Sequence, residues 1–228
     1  MTEALKAVAI DGPAGAGKST VAREVARRLN YLYIDTGAMY RALAWWALRQ
    51  DVGCEPVALT ALAEAAEIRL VATDEGTRVW IHGHDVTEAI RSPEVSQHVS
   101  QVAAVAGVRA PMVRLQQQMA AQGCVVMDGR DIGTRVLPMA QVKIFLTASI
   151  EERALRRYRE LCARGVPVEL AALQQEIEAR DQADSSRATD PLRQADDAVV
   201  IDTTGMGLEQ VIEAVLATVR RKVGDHGA

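Results

Sequence analysis

The sequence predicts an α/β fold, a parallel sheet with helices on both faces, carrying an inserted small antiparallel β-hairpin subdomain. Three observations predict it. Gly12-Pro-Ala-Gly-Ala-Gly-Lys-Ser19 fits the phosphate-binding pattern G-x-x-x-x-G-K-[ST] at every fixed position. Short apolar runs alternate with stretches whose apolar residues recur every three or four positions, as strands and helices in turn would give. One segment, Ile68 to Val86, breaks that rhythm with a period-two pattern.

The phosphate motif comes first because it fixes the chemistry. Ala7 to Ile10 reads as a short buried strand, and Thr20 to Leu29 as a helix whose N-terminus points at the motif. Gly12, Gly15 and Gly17 let successive N–H groups turn inward around a phosphate. Lys18 adds a mobile positive charge for the β- and γ-phosphates, and the Ser19 hydroxyl is a ligand for Mg²⁺. Gly12, Pro13, Ala14, Gly15, Ala16, Gly17, Lys18, Ser19 and Thr20 are therefore the expected triphosphate site of a P-loop NTPase core.

Further strands are expected at Tyr31 to Ile34, Val125 to Met127, Val142 to Leu146 and Ala198 to Ile201. Helices are expected at Ala42 to Leu48, Val108 to Met119, Ile150 to Leu161 and Leu208 to Val219. Ser149-Ile-Glu-Glu152 reads as a capping box opening one of them. Strands and helices in this order argue for parallel pairing. Within the irregular segment, Asp74-Glu-Gly76 is the expected hairpin turn, with another turn around Gly83. A hairpin module beside a phosphate site is a candidate for motion over the substrate.

Composition excludes several classes. The chain has 228 residues, enough for one such domain with insertions. No apolar run approaches the ~18 residues of a membrane span, and the first residues lack a secretory pattern, so a cytoplasmic location is expected. Cys54, Cys124 and Cys162 lack metal-ligand spacing and read as reduced thiols. His82 and His84 could chelate a metal, but a polar hairpin turn accounts for them better. A net charge of −4 argues against nucleic acid held by bulk electrostatics. The cations are nevertheless lopsided, 22 Arg against 4 Lys, and arginine is suited to forked recognition of phosphate.

A GTPase switch would need a guanine-reading N-K-x-D, and a transporter-type ATPase an L-S-G-G-Q-like stretch; neither occurs here. A small-molecule kinase needs a second anion site, and Arg41, Arg109, Arg130, Arg180, Arg187, Arg153 and Arg157 are candidates for it. The motifs Asp11-Gly-Pro-Ala-Gly-Ala-Gly-Lys-Ser-Thr20, Tyr33-Ile-Asp-Thr-Gly-Ala-Met-Tyr-Arg41, Asp128-Gly-Arg-Asp-Ile-Gly-Thr134 and Arg180-Asp-Gln-Ala-Asp-Ser-Ser-Arg187 occur in that order. Together they resemble the bacterial cytidylate kinase family over nearly the whole chain.

That resemblance implies phosphorylation of CMP and dCMP by ATP, with Mg²⁺ as cofactor, in a monomer without nucleic-acid or membrane partners. It implies one domain over 1–228, with a core at 1–65 and 106–228, an NMP-binding insertion at about 66–105 and a short lid at about 153–187. Thr36 and Arg41 would hold the acceptor phosphate; the plainer reading is a helix cap and a solvated cation. Asp128 would orient water on Mg²⁺ beside Ser19, Arg130 would meet the acceptor phosphate, and Asp131 the cytosine edge. Ser100 and Arg109 would join Asp131 around the base, since selecting cytosine over uracil takes an acceptor for its amino group and a donor for its ring. Arg180, Asp184 and Arg187 share one face if helical, and the family uses the first two for the ribose and the third for the phosphate. A surface ion-pair ladder would have the same spacing. Arg153 and Arg157 would serve the lid, one stacked on adenine and the other bridging the transferring phosphoryl, with Arg156 pointing elsewhere. Lys18, Arg130, Arg157 and Asp128 form the expected catalytic set. A kinase for UMP or for a non-nucleotide acceptor such as shikimate, and a nucleotide-dependent switch, remain as alternatives.

Overall fold

A computed structural model of the chain describes residues 6–73, 76–163 and 165–224. In chain order the elements are β1 (Ala7–Asp11), α1 (Lys18–Leu29), β2 (Leu32–Asp35), α2 (Thr36–Arg49), α3 (Pro56–Ala65), β3 (Ile68–Thr73), β4 (Gly76–Ile81), β5 (His84–Asp85), α4 (Pro93–Ala104), α5 (Ala106–Ala120), β6 (Val125–Gly129), β7 (Val142–Thr147), α6 (Ile150–Ala163), α7 (Leu170–Ser186), β8 (Val199–Asp202) and α8 (Leu208–Val223). The described residues pack as two units, Met1–Tyr33 with Gly123–Ala228, and Ile34–Gln122.

The first unit is organised by a sheet of order β2-β6-β1-β7-β8. β1 pairs in parallel with β6 and β7, and β7 with β8. Parallel strands buried on both faces carry continuous apolar runs, and β1 is buried at all five residues. Val8 and Ile10 turn one way, with Val142, Ile144 and Leu146, into a core closed by Val21 and Val25 of α1 and Val211, Val215 and Leu216 of α8. Ala7 and Ala9 turn the other way and are also buried.

β6 extends past the expected end at Met127, so Asp128 belongs to the strand and does not follow it. The ladder continues because Ile10 opposes Asp128 and Asp11 opposes Gly129. At α6, the Ser149 hydroxyl accepts the Glu152 N–H at 3.2 Å, which supplies the forward half of the expected capping box. α7 is helical through Arg180 and Asp184, with Arg187 as its C-cap, which meets the condition for a shared face.

The second unit holds the antiparallel sheet β3-β4-β5. Thr73 opposes Gly76 across the expected hairpin, whose turn residues Asp74 and Glu75 lie outside the described residues. The second turn carries His82 and Gly83, both at positive φ, and His82 lies against Trp46 with ring centroids 4.7 Å apart. That is the hairpin-turn reading of these histidines. α2 starts at Thr36, where a hydroxyl and a glycine were expected to open a helix, and the cap is the Asp35 side chain, which accepts the Ala38 N–H at 2.7 Å. α3 and α4 went unread, and α7 was considered only over 180–187. Both unread helices open on Pro at their first position after a capping Glu55 or Ser92, a start signal that apolar periodicity alone overlooks.

Candidate active site

The loop between β1 and α1 forms the donor end. A Cβ on Gly12 would collide with the Leu146 carbonyl, and its φ of 148° disfavours any other residue. The loop ends with Gly17 in the left-handed region at φ 85°, from which α1 starts with no side-chain cap. Its first amides are thus left for an anion. Lys18 is buried and donates to the Pro13 carbonyl at 2.7 Å. Burial pushes its ammonium well below the usual lysine range, with Arg130 and Arg180 adding repulsion and Asp128 and Asp11 opposing it. A concentration of cations with too few anions is the electrostatic state of a site completed by phosphates.

Asp128 faces this loop. Its carboxylate accepts the Ser19 hydroxyl at 2.8 Å and the Tyr33 hydroxyl at 2.9 Å. Ser19 and Asp128, expected to act together on a cation, are therefore in direct contact across 109 residues of sequence. One hydroxyl and one carboxylate are hard oxygen donors of the kind that suits Mg²⁺, which keeps most of its remaining positions for water and phosphate.

The acceptor cluster is gathered from the residues that follow β6 and from α7. Arg130 donates to Asp184 at 2.8 Å. Burial works against the charge of Asp184, but Arg130, Arg180 and Arg187 together outweigh it and hold its carboxyl below the ordinary aspartate value. Arg187 also donates to the Asp190 carbonyl at 2.6 Å. This group is partly buried and converges on one carboxylate, unlike an exposed ion-pair ladder. Asp131 is buried beside Arg130 at the entry to a single π-helical turn, Ile132–Val136.

The arginines of α6 divide sharply. Arg153 is buried, and its guanidinium donates to the Ala14 carbonyl at 2.9 Å and the Ala148 carbonyl at 3.0 Å, while pairing with Asp181 at 2.7 Å. It is a clamp between the phosphate loop and α7. Arg157 is half-buried and pairs with Glu160 at 2.9 Å. Arg156, expected to point elsewhere, donates to both the hydroxyl and the carbonyl of Thr203.

The second unit carries the other four expected residues. Thr36 is the buried first residue of α2, and the cap comes from Asp35. Arg41 lies 3.3 Å from Asp35 and is partly buried, so it is not a solvated cation. Ser100 is half-buried on α4. Arg109, on α5, is 2% exposed, lies over the Tyr40 ring and donates to the Ala103 carbonyl at 3.2 Å. Asp11, Tyr33 and Asp181 join the site with no role expected of them from the sequence. Only Asp11 had a visible signal, as an acid closing an otherwise apolar strand.

Among the described residues no helix is long and apolar enough to cross a membrane. The family model described as Cytidylate kinase matches residues 8–221. A cytidylate kinase of Geobacillus sp. strain WCH70 is 53% identical over 218 residues, covering 95% of this chain and 97% of that protein. One from Bacillus licheniformis is 54% identical over 217 residues, covering 94% and 96%. Among solved structures, an uncharacterized protein from Eubacterium ventriosum matches 95% of this chain and 99% of its own with a TM-score of 0.52 at 12% identity, a likeness of fold.

Proposed function

The chain belongs to the cytidylate kinase family, and from that premise we propose how its residues divide the work of moving the γ-phosphoryl of ATP to CMP and dCMP. The observation that carries the division is the contact of Arg130 with Asp184 at 2.8 Å, which brings the arginines of the 180–187 stretch to the residues that follow β6. Two polyanions must be brought into line, and cations on both sides of the transferring group permit it.

Lys18 takes the β- and γ-phosphates. The arriving anion favours its charged form and draws it from the Pro13 carbonyl. Ser19 and Asp128 would hold Mg²⁺, Asp128 through water; the ion supplies charge neutralisation of the phosphates when bound. Arg130 and Arg187 take the acceptor phosphate, and Arg180 with Asp184 the ribose. The acceptor oxygen is anionic at neutral pH, so no side chain has to remove a proton. Rate then comes from in-line positioning and from cations placed where charge spreads in the transition state. Asp131 offers an acceptor to the cytosine amino group. Thr36 and Arg41 are assigned to the acceptor phosphate, and Ser100 and Arg109 to the base. Arg153 supports ATP through the Ala14 carbonyl and not by stacking, while Arg157 is left as the mobile cation of the lid. In this reading the chain works as a monomer and needs no nucleic acid or membrane.

The test is ADP formation with ATP and Mg²⁺ across CMP, dCMP, UMP, AMP, GMP and shikimate. Turnover on CMP and dCMP alone is expected. Efficient turnover on another acceptor would discard the roles of Ser100, Arg109 and Asp131, and hydrolysis indifferent to every acceptor would restore the switch reading.

A further inference from the structure

Asp11 takes no part in the chemistry above, yet it is a charged side chain sealed into the sheet. It ends β1, opposite Gly129 on one side and Phe145 on the other. Its two carboxylate oxygens accept the N–H groups of Ile132 at 2.8 Å and Gly133 at 2.7 Å. These amides open the turn Ile132–Val136, and first-turn amides have no partner within their own turn. The residue that ordinarily satisfies them is the one at the N-cap, here Asp131. Asp131 makes no capping bond with its side chain, while its backbone carbonyl accepts from Arg135 and Val136. The cap comes instead from another strand.

We infer that Asp11 is a positioning residue for the acceptor, capping the Ile132–Val136 turn in place of Asp131 and so fixing the backbone that carries Asp131 and the neighbouring Arg130. This rests on the acceptor roles assigned above to Arg130 and Asp131. Two further observations separate positioning from a purely structural part. Burial pushes the Asp11 carboxyl up to about 6, the Asp131 charge adding to the rise against the pull of the two amides and Lys18. Above that pH the fold therefore carries a charge that its interior disfavours and the unfolded chain does not, so stability alone gives no reason for a carboxylate here. Gly133 is the second. A Cβ there would stand 3.3 Å from the Asp11 carboxylate and 3.1 Å from the Lys143 side chain, so the close approach of amide and carboxylate depends on residue 133 having none.

The experiment is steady-state kinetics of Asp11→Asn, varying CMP and ATP separately, with thermal unfolding at pH 7.5. Asn keeps the shape of Asp but turns an N–H₂ group towards one of the two amides, leaving a donor unmet. The KM for CMP is expected to rise about 10-fold or more, and the KM for ATP less than about threefold, as one lost buried hydrogen bond at one substrate would give. The unfolding midpoint should be unchanged or higher. Gly133→Ala, a gentler displacement of the same contact, should move the KM for CMP the same way by a smaller factor, and it decides the matter if Asp11→Asn does not fold. Equal rises in both KM values, or unchanged kinetics with a lower midpoint, would overturn the inference. Arg130→Ala serves as the reference. If it too leaves the KM for CMP unchanged, the acceptor-site reading has failed and the positioning role falls with it; if it raises that KM while Asp11→Asn does not, the positioning role alone is wrong.

Discussion

The loop that cradles the donor phosphates is built from consecutive residues, 12 to 20, whereas the acceptor cluster joins Arg130 to Asp184 across 54 residues of sequence. The donor loop takes its shape from glycine backbone and from a helix N-terminus, so it presents amides whatever its neighbours do. The acceptor cluster takes its shape from opposed charges, so each member depends on the others. Removing one residue should therefore cause a narrow chemical loss at the loop and a shared, partly structural loss in the cluster.

Lys18→Ala is the strongest way to break this comparison. Turnover should fall about 1000-fold, the scale for removing a cation or donor aimed at the transition state, with the fold intact by circular dichroism. Near-normal turnover would remove the P-loop from the mechanism. Next is Arg153→Ala, which strips a buried partner from Asp181 and leaves the Ala14 and Ala148 carbonyls unmet. Stability in urea should drop by about 3 kcal/mol, because breaking one side of a buried pair leaves the other uncompensated. A loss of ATP affinity with no loss of stability would instead return Arg153 to the adenine. The smallest effect is expected of Arg157→Ala. Its pairing with Glu160 is exposed, so stability should move by no more than about 0.5 kcal/mol. Turnover should fall about 10-fold if Arg157 reaches the transferring group, and unchanged turnover would leave it as a surface cation.

Legibility followed the same division. The phosphate loop could be read to the residue, because G-x-x-x-x-G-K-[ST] is a local pattern whose chemistry needs no distant partner. The five sheet strands were visible as apolar runs, and β3 and β4 as alternation, since periodicity reports burial directly. Their ends were less visible: β6 runs on through Asp128 because a neighbouring strand continues the ladder, which no local signal announces. α3 and α4 lacked strong apolar periodicity and showed only a proline and a cap. In the site, Arg130, Arg180, Asp184 and Arg187 were named from motifs, but whether they formed one group or a surface ladder was open until α7 folded. Arg153 and Arg156 had the same residue type and nearly the same position, and packing alone sent one beneath the loop and the other to Thr203.

By itself the sequence determined the parallel α/β class, the triphosphate loop and the set of arginines, because glycine placement, strand burial and charge identity act within a few residues. Only the tertiary structure decided which arginines meet which carboxylates, that Ser19 and Tyr33 share Asp128, and that Asp11 caps a turn 121 residues further along. A hydrogen bond is worth something only at about 3 Å, and contacts that short between remote residues are set by how the strands register, which no local pattern records.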